Sequence, residues 1–112
     1  MRLSLRIDFD KTTRLGPGKA ELLERIAEHG SISAAGRAMD MSYRRAWKLV
    51  DALNSMFSEK LVVAQTGGTG GGKAALTPAG AEVLRLYRAI EAHAASDRAL
   101  LEKLSLLLQR SE

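Results

Sequence analysis

Residues 31–54, SISAAGRAMDMSYRRAWKLVDALN, decide how this chain is read. They form two helical patterns separated by a tight break. In the first, Ile32, Ala35 and Ala38 or Met39 supply an apolar face, and Ser33 is placed to cap the N-terminus. The break falls at Asp40-Met41. Ser42 is then the expected N-cap of a longer helix over 42–56, in which Ala46, Leu49, Val50 and Leu53 recur at i, i+3, i+4 and i+7 as one buried stripe. At about 100° per residue, the face opposite that stripe carries Arg44, Lys48, Asp51 and Ser55. Arg45 lies on one flank of it, with Tyr43 and Trp47 on the other.

Arg44 and Arg45 stand in the first turn, where the helix dipole is already positive and disfavours cations. A partner rich in negative charge accounts for the placement. A short helix, a turn and a second helix with basic and hydrogen-bonding residues at its N-terminal end is the helix-turn-helix arrangement, whose second helix enters the DNA major groove. The plain alternative is a pair of packed helices with a solvated charged face. Ser42 can serve as a cap or as a DNA contact. Tyr43 can donate to a phosphate or pack on a thymine methyl, and Trp47, beside the buried stripe, is expected to be structural.

The totals set bounds. With 112 residues and 46% hydrophobic content, the chain builds one domain with a small core. There is no cysteine, which excludes disulfides and thiolate-held zinc. The two histidines, His29 and His93, are far apart and read as helix-end or surface residues. No paired carboxylates, nucleophilic triad or metal-ligand cluster is legible, so no catalytic residue, metal or cofactor is assigned. No apolar run approaches the ~20 residues that span a bilayer, and a cytoplasmic protein without a membrane partner is expected. The net charge is +4. Its excess is concentrated in residues 1–16 and 42–60, each with four basic against two acidic residues, whereas 78–112 balances five against five. A surface facing a polyanion is built that way, although an acidic protein bound by a dimeric adaptor would meet the same charges.

Residues 2–9 alternate, with Leu3, Leu5, Ile7 and Phe9 on one side, and read as a half-buried strand. After a Gly-Pro-Gly loop, Leu22, Leu23, Ile26 and Ala27 give a supporting helix over 19–29 that Gly30 terminates. Residues 61–66, LVVAQT, form a strand, a glycine cluster follows, and residues 73–77 return as a second strand. Two strands and a loop after a helix-turn-helix make a wing over 66–74, with the N-terminal strand completing a three-stranded sheet. Gly68, Thr69, Gly70, Gly71 and Lys73 would approach the sugar-phosphate backbone there. Residues 67–73 also match G-x-x-x-x-G-K, the phosphate-binding loop. Against nucleotide binding, Ala74 stands where a Ser or Thr should hold magnesium, and a strand-like AALT followed by Pro78 replaces the required helix.

From Pro78 to about residue 109, Val83, Leu84, Tyr87, Ile90, Ala94, Leu101, Leu104 and Leu108 repeat near a 3.5-residue period. Unbroken, that helix would be roughly 48 Å long, more than so small a domain can cover. Alternatively, Ala95-Ser96-Asp97 is a break with Ser96 capping a final short helix. Either way Val83, Tyr87, Ile90, Leu101, Leu104 and Leu108 are expected to meet a second copy of the chain. The expectation is thus a mainly α fold with a small antiparallel sheet: a winged helix-turn-helix over 1–77 and a C-terminal dimerisation helix over 78–112.

The order of elements, with GSISAAGRAMDMSYRRAW and above all TGGTGGGKAALTPAGAEVLRLY, resembles the N-terminal DNA-binding domain of the molybdate-responsive repressors of the ModE type. The helix-turn-helix portion is also similar to LysR-type regulators. The resemblance spans roughly residues 3–107. It implies a homodimeric transcriptional regulator on double-stranded DNA, with Ser42, Tyr43, Arg44, Arg45 and Lys48 at or near bases and phosphates. Regulators of that type usually carry further domains that bind molybdate. This sequence ends at Glu112 without one, so molybdate is not expected to bind here.

Overall fold

The apolar stripes converge in a computed structural model that describes residues 1–65 and 72–109. The elements run β1 (Ile7–Asp8), β2 (Arg14–Leu15), α1 (Pro17–His29), α2 (Ile32–Ala38), α3 (Tyr43–Met56), β3 (Val62–Gln65), β4 (Lys73–Leu76), α4 (Pro78–Ala94) and α5 (Arg98–Leu106). Leu22, Leu23 and Ile26 of α1, Ile32 and Ala35 of α2, and Ala46, Val50 and Leu53 of α3 are buried together. Leu61, Val62 and Ala74 cover them from the wing strands. Each large side chain removed from water contributes about 1.5–3 kcal/mol, and this shared core sets the angles of the three helices. The architecture is a winged helix-turn-helix.

Local signals fix the ends. Pro17 opens α1, and Gly30 closes it in the left-handed conformation at φ 70°, its amide donating to the Ile26 carbonyl at 2.8 Å. That turn leaves the next residue extended, so Ser31 and not Ser33 caps α2: the Ser31 hydroxyl accepts from the Ala34 amide at 2.9 Å. Ser33, already inside the first turn, accepts instead from Arg37 Nη1 at 2.8 Å. Asp40, with φ 54°, makes the reversal between α2 and α3, a conformation that a short polar side chain tolerates. Ser42 caps α3 as the sequence indicates, accepting from the Arg45 amide at 3.1 Å.

The wing hairpin is antiparallel, with Val62 opposite Leu76 and Gln65 opposite Lys73. Its base is tied down three ways. The Ala74 amide donates to the Gly30 carbonyl at 2.8 Å. Asn54, in the last turns of α3, accepts from the amides of Leu61 at 2.8 Å and Val62 at 3.0 Å, and donates to the Val62 carbonyl at 3.1 Å. Thr77 donates to the Lys60 carbonyl at 2.6 Å while capping α4 by accepting from the Gly80 amide at 3.0 Å.

Three expectations need correction. Residues 2–9 do not form one strand and do not join the wing. Only Ile7–Asp8 pairs, with Arg14–Leu15, in a separate two-stranded sheet. The reversal is made by Asp10, whose carboxylate accepts from the amides of Thr12 at 2.9 Å and Thr13 at 2.8 Å. Phe9, expected on the buried side, is exposed and meets the edge of Phe57 with centroids 6.1 Å apart. Of the two readings of the C-terminal segment, the broken one holds, α4 ending at Ala94, but Asp97 and not Ser96 caps α5, accepting from the Leu100 amide at 3.2 Å. Finally, Tyr87 does not face outward. It is 1% exposed, and its hydroxyl donates to the Leu5 carbonyl at 2.6 Å, which holds the N-terminal segment on α4. Burial raises the pKa of that phenol, and the charge of Glu91 adds to the shift.

Candidate nucleic-acid interface

The helix α3 is held by one face and leaves the other open. Ala46, Val50 and Leu53 are buried, whereas Ser42, Tyr43, Arg44, Arg45 and Lys48 are exposed on the N-terminal half. Close packing of α2 sets how far α3 stands out. A Cβ added at Gly36 would lie 3.2 Å from the Ala46 Cβ, so the two helices cross with little between them. The structure therefore brings the five recognition-helix candidates onto one continuous surface.

The charges on that surface are uncompensated. Among the described residues, ion pairs join Arg6 and Arg14 to Asp8, Arg25 to Glu21 and Glu28, Arg85 to Glu82, and Arg88 to Glu24 and Glu91. All lie on the β1–β2 hairpin, α1 and α4. Arg44, Arg45, Lys48 and Lys73 take part in none of the described pairs. Arg44 and Arg45 in the first turn and Lys48 a turn further on, with Asp51 the one carboxylate of α3, repel one another until an anion arrives. Such an arrangement can hold phosphates and offer bidentate donors to base edges.

Lys73 opens β4 and is exposed. Gly68, Thr69, Gly70 and Gly71 lie outside the described residues. A strand, not a helix, continues from Lys73, and Ala74 is buried with its amide on Gly30, so no helix N-terminus follows the glycines to cradle a nucleotide phosphate. Two cations missed in the sequence lie on the segments that flank α3 in the chain. Lys60 lines a cleft of about 270 Å³ between α3 and β3 together with Trp47, Asp51, Asn54 and Val63. Arg37 is exposed at the end of α2, the helix that precedes the turn. Neither lies in a repeating pattern that would have marked it.

The proposed dimer face divides. Tyr87 belongs to the protomer's own core, and Val83 packs against that core half-buried. Ile90, Leu104 and Leu108 are exposed, by 46%, 66% and 63%, and Leu101 is half-buried. Leu86, Leu100, Leu106 and Leu107 are exposed on the same two helices.

Comparison with known proteins places this geometry. Residues 18–81, from the start of α1 through the wing to the first turn of α4, match the model of the bacterial regulatory helix-turn-helix proteins of the lysR family. The chain belongs to that family. It is 43% identical over 99 residues to the molybdenum-pterin-binding protein MopB of Rhodobacter capsulatus, covering 88% of this chain and 36% of the relative. It is 39% identical over 71 residues to the DNA-binding transcriptional dual regulator ModE of Escherichia coli K12, covering 63% and 27%. The chain thus spans about a third of the length of such relatives. The crystal structure of ArgP from Mycobacterium tuberculosis superposes with a TM-score of 0.51 over 80% of this chain and 29% of that one, at 24% identity, and shares the fold. The LysR-type and ModE-type resemblances read from the sequence both stand. No helix among the described residues is long and apolar enough to cross a membrane.

Proposed function

We propose that this chain is a homodimeric, DNA-binding transcriptional regulator acting in the cytoplasm. In this reading α3 lies in the major groove, the wing grips the adjacent backbone through Lys73 and the glycines of residues 66–74, and the exposed apolar face of α4 and α5 joins two copies. The observation that carries it is the set of unpaired cations, Arg44, Arg45 and Lys48, on the open face of a helix whose other face is locked into the core. Relatives named as DNA-binding regulators support the same reading. Molybdate is not assigned to these residues, because the likeness to molybdenum-named relatives extends over only about a third of their length.

The test is binding of the purified chain to random-sequence duplex DNA across a salt series. Four cations from each of two protomers predict a log–log slope of about −7 at roughly 0.9 per phosphate neutralised. A slope of only one or two ions, or no binding at low salt, would sink the DNA reading and favour an acidic protein partner. Selecting bound sites from a random pool then reads the half-site and its symmetry.

A further inference from the structure

The two flanks of α3 differ in chemistry. One carries Arg44, Arg45 and Lys48. The other carries Tyr43 and Trp47, with Trp47 on the cleft toward the wing that Asp51 and Lys60 also line. Tyr43 is 59% exposed, in the first turn of the helix, and its hydroxyl has no hydrogen-bond partner among the described residues. Its ring meets that of Trp47 edge-to-face, with centroids 6.2 Å apart and planes at 72°. Trp47, half-buried and packed against the core, walls the cleft between α3 and β3, with the exposed Val63 lining the same cleft.

An exposed tyrosine is ordinary; its position and support are the informative parts. The N-terminal residues of a recognition helix are the ones that reach base edges. There, an apolar edge has one partner in the major groove, the C5-methyl of thymine, which no other unmodified base displays. A ring intended for a phosphate needs only its hydroxyl and gains nothing from being held at a fixed tilt. A ring that reads a methyl group by shape does, because an aromatic free to swing would contact every step equally well. Trp47, anchored in the core one turn away, supplies that restraint.

We propose that Tyr43 is a specificity-determining residue that reads a thymine methyl through its ring, and that Trp47 is its positioning residue. This rests on the DNA-binding reading above and deepens it. Arg44, Arg45 and Lys48 grip the duplex and can donate to base edges, and the aromatic flank adds a selection for thymine that they do not make.

The test uses a half-site selected from a random pool by the wild-type chain, in which each thymidine is replaced singly by deoxyuridine, removing the methyl and leaving base pairing and the O4 acceptor intact. Fluorescence polarisation should show one or two positions at which deoxyuridine weakens wild-type binding about fourfold, the worth of burying one methyl group. Tyr43→Ala should bind thymidine and deoxyuridine sites equally at those positions. Tyr43→Phe should keep the discrimination, since the ring and not the hydroxyl is the reader. Trp47→Ala should lose it with an unchanged salt slope on random DNA, and Trp47→Phe should restore it. A wild type indifferent to every substitution, a Tyr43→Ala protein that keeps the difference, or a Tyr43→Phe protein that loses it would overturn the proposal while leaving DNA binding intact. Failure of the wild type to bind any duplex at low salt would instead remove the DNA reading, and this inference with it.

Discussion

At Gly80 the absence of a side chain lets two elements touch. A Cβ there would overlap the carbonyl oxygen of Leu61, the same oxygen that accepts from the Thr77 amide at 2.9 Å. The obstacle is backbone, not the end of a flexible side chain, so relief requires α4 to move off the wing. Gly80→Ala is therefore expected to lower stability by at least about 2 kcal/mol in urea unfolding, at the upper end of overpacking costs. Gly18 is the control. It lies in the first turn of α1, with nothing within 4 Å of an added Cβ. Gly18→Ala should be neutral or stabilising by up to about 1 kcal/mol, because alanine has less unfolded-state entropy to lose and a higher helix propensity. Similar losses for the two variants would mean that α4 does not sit against Leu61 as described.

At the scale of the element, the proposed DNA-binding reading divides the work between α3 and the wing, and their positions argue for different consequences. Arg44 is in the first turn of α3, the end that would meet base edges, whereas Lys73 begins a strand whose partner is Gln65. Arg44→Ala should weaken binding to a selected site by about 1–3 kcal/mol, with a smaller loss on random DNA. Lys73→Ala should weaken both alike and reduce the magnitude of the dimer's salt slope by about 2, one phosphate contact for each protomer. Polarisation titrations on both duplexes measure this, and equal losses in both assays for both variants would refute the division. The three core helices and the open basic face of α3 were legible in the sequence, because stripes such as Ala46, Leu49, Val50 and Leu53 and a cap such as Ser42 are local signals. What was not legible depended on distant partners. Two serines, Ser31 and Ser33, could each cap α2, and the left-handed turn at Gly30 decided between them. A two-residue strand such as Ile7–Asp8 leaves too little alternation to delimit. The role of Asn54 exists only once Leu61 and Val62 lie beside it.

For the whole molecule the open question is what covers the apolar face of α4 and α5. The near-heptad repeat reads the same whether it serves its own core or a partner, and the structure splits it: Tyr87 goes inward, while Ile90, Leu100, Leu104, Leu106, Leu107 and Leu108 remain exposed. A concentration of large exposed apolar side chains on the last two helices marks an association site. A second copy is the simplest occupant, since a two-fold pair would set two recognition helices about 34 Å apart on one side of a duplex. Ile90 offers the cleanest probe. It is 46% exposed and lies within α4, so a charge there disturbs no core contact of its own protomer. Ile90→Glu should convert a species of twice 12.1 kDa into one of 12.1 kDa in sedimentation equilibrium. Linking two half-site contacts through a dimer multiplies affinity by about 10²–10⁴ without any new contact to DNA. The variant should therefore lose affinity for a full inverted repeat by a factor in that range, yet bind an isolated half-site as tightly as the wild-type protomer does. A wild type that sediments as a monomer at the concentrations where it fills an inverted repeat, or an Ile90→Glu protein that binds the full repeat normally, would assign the apolar face to some other occupant and leave α3 to act one copy at a time.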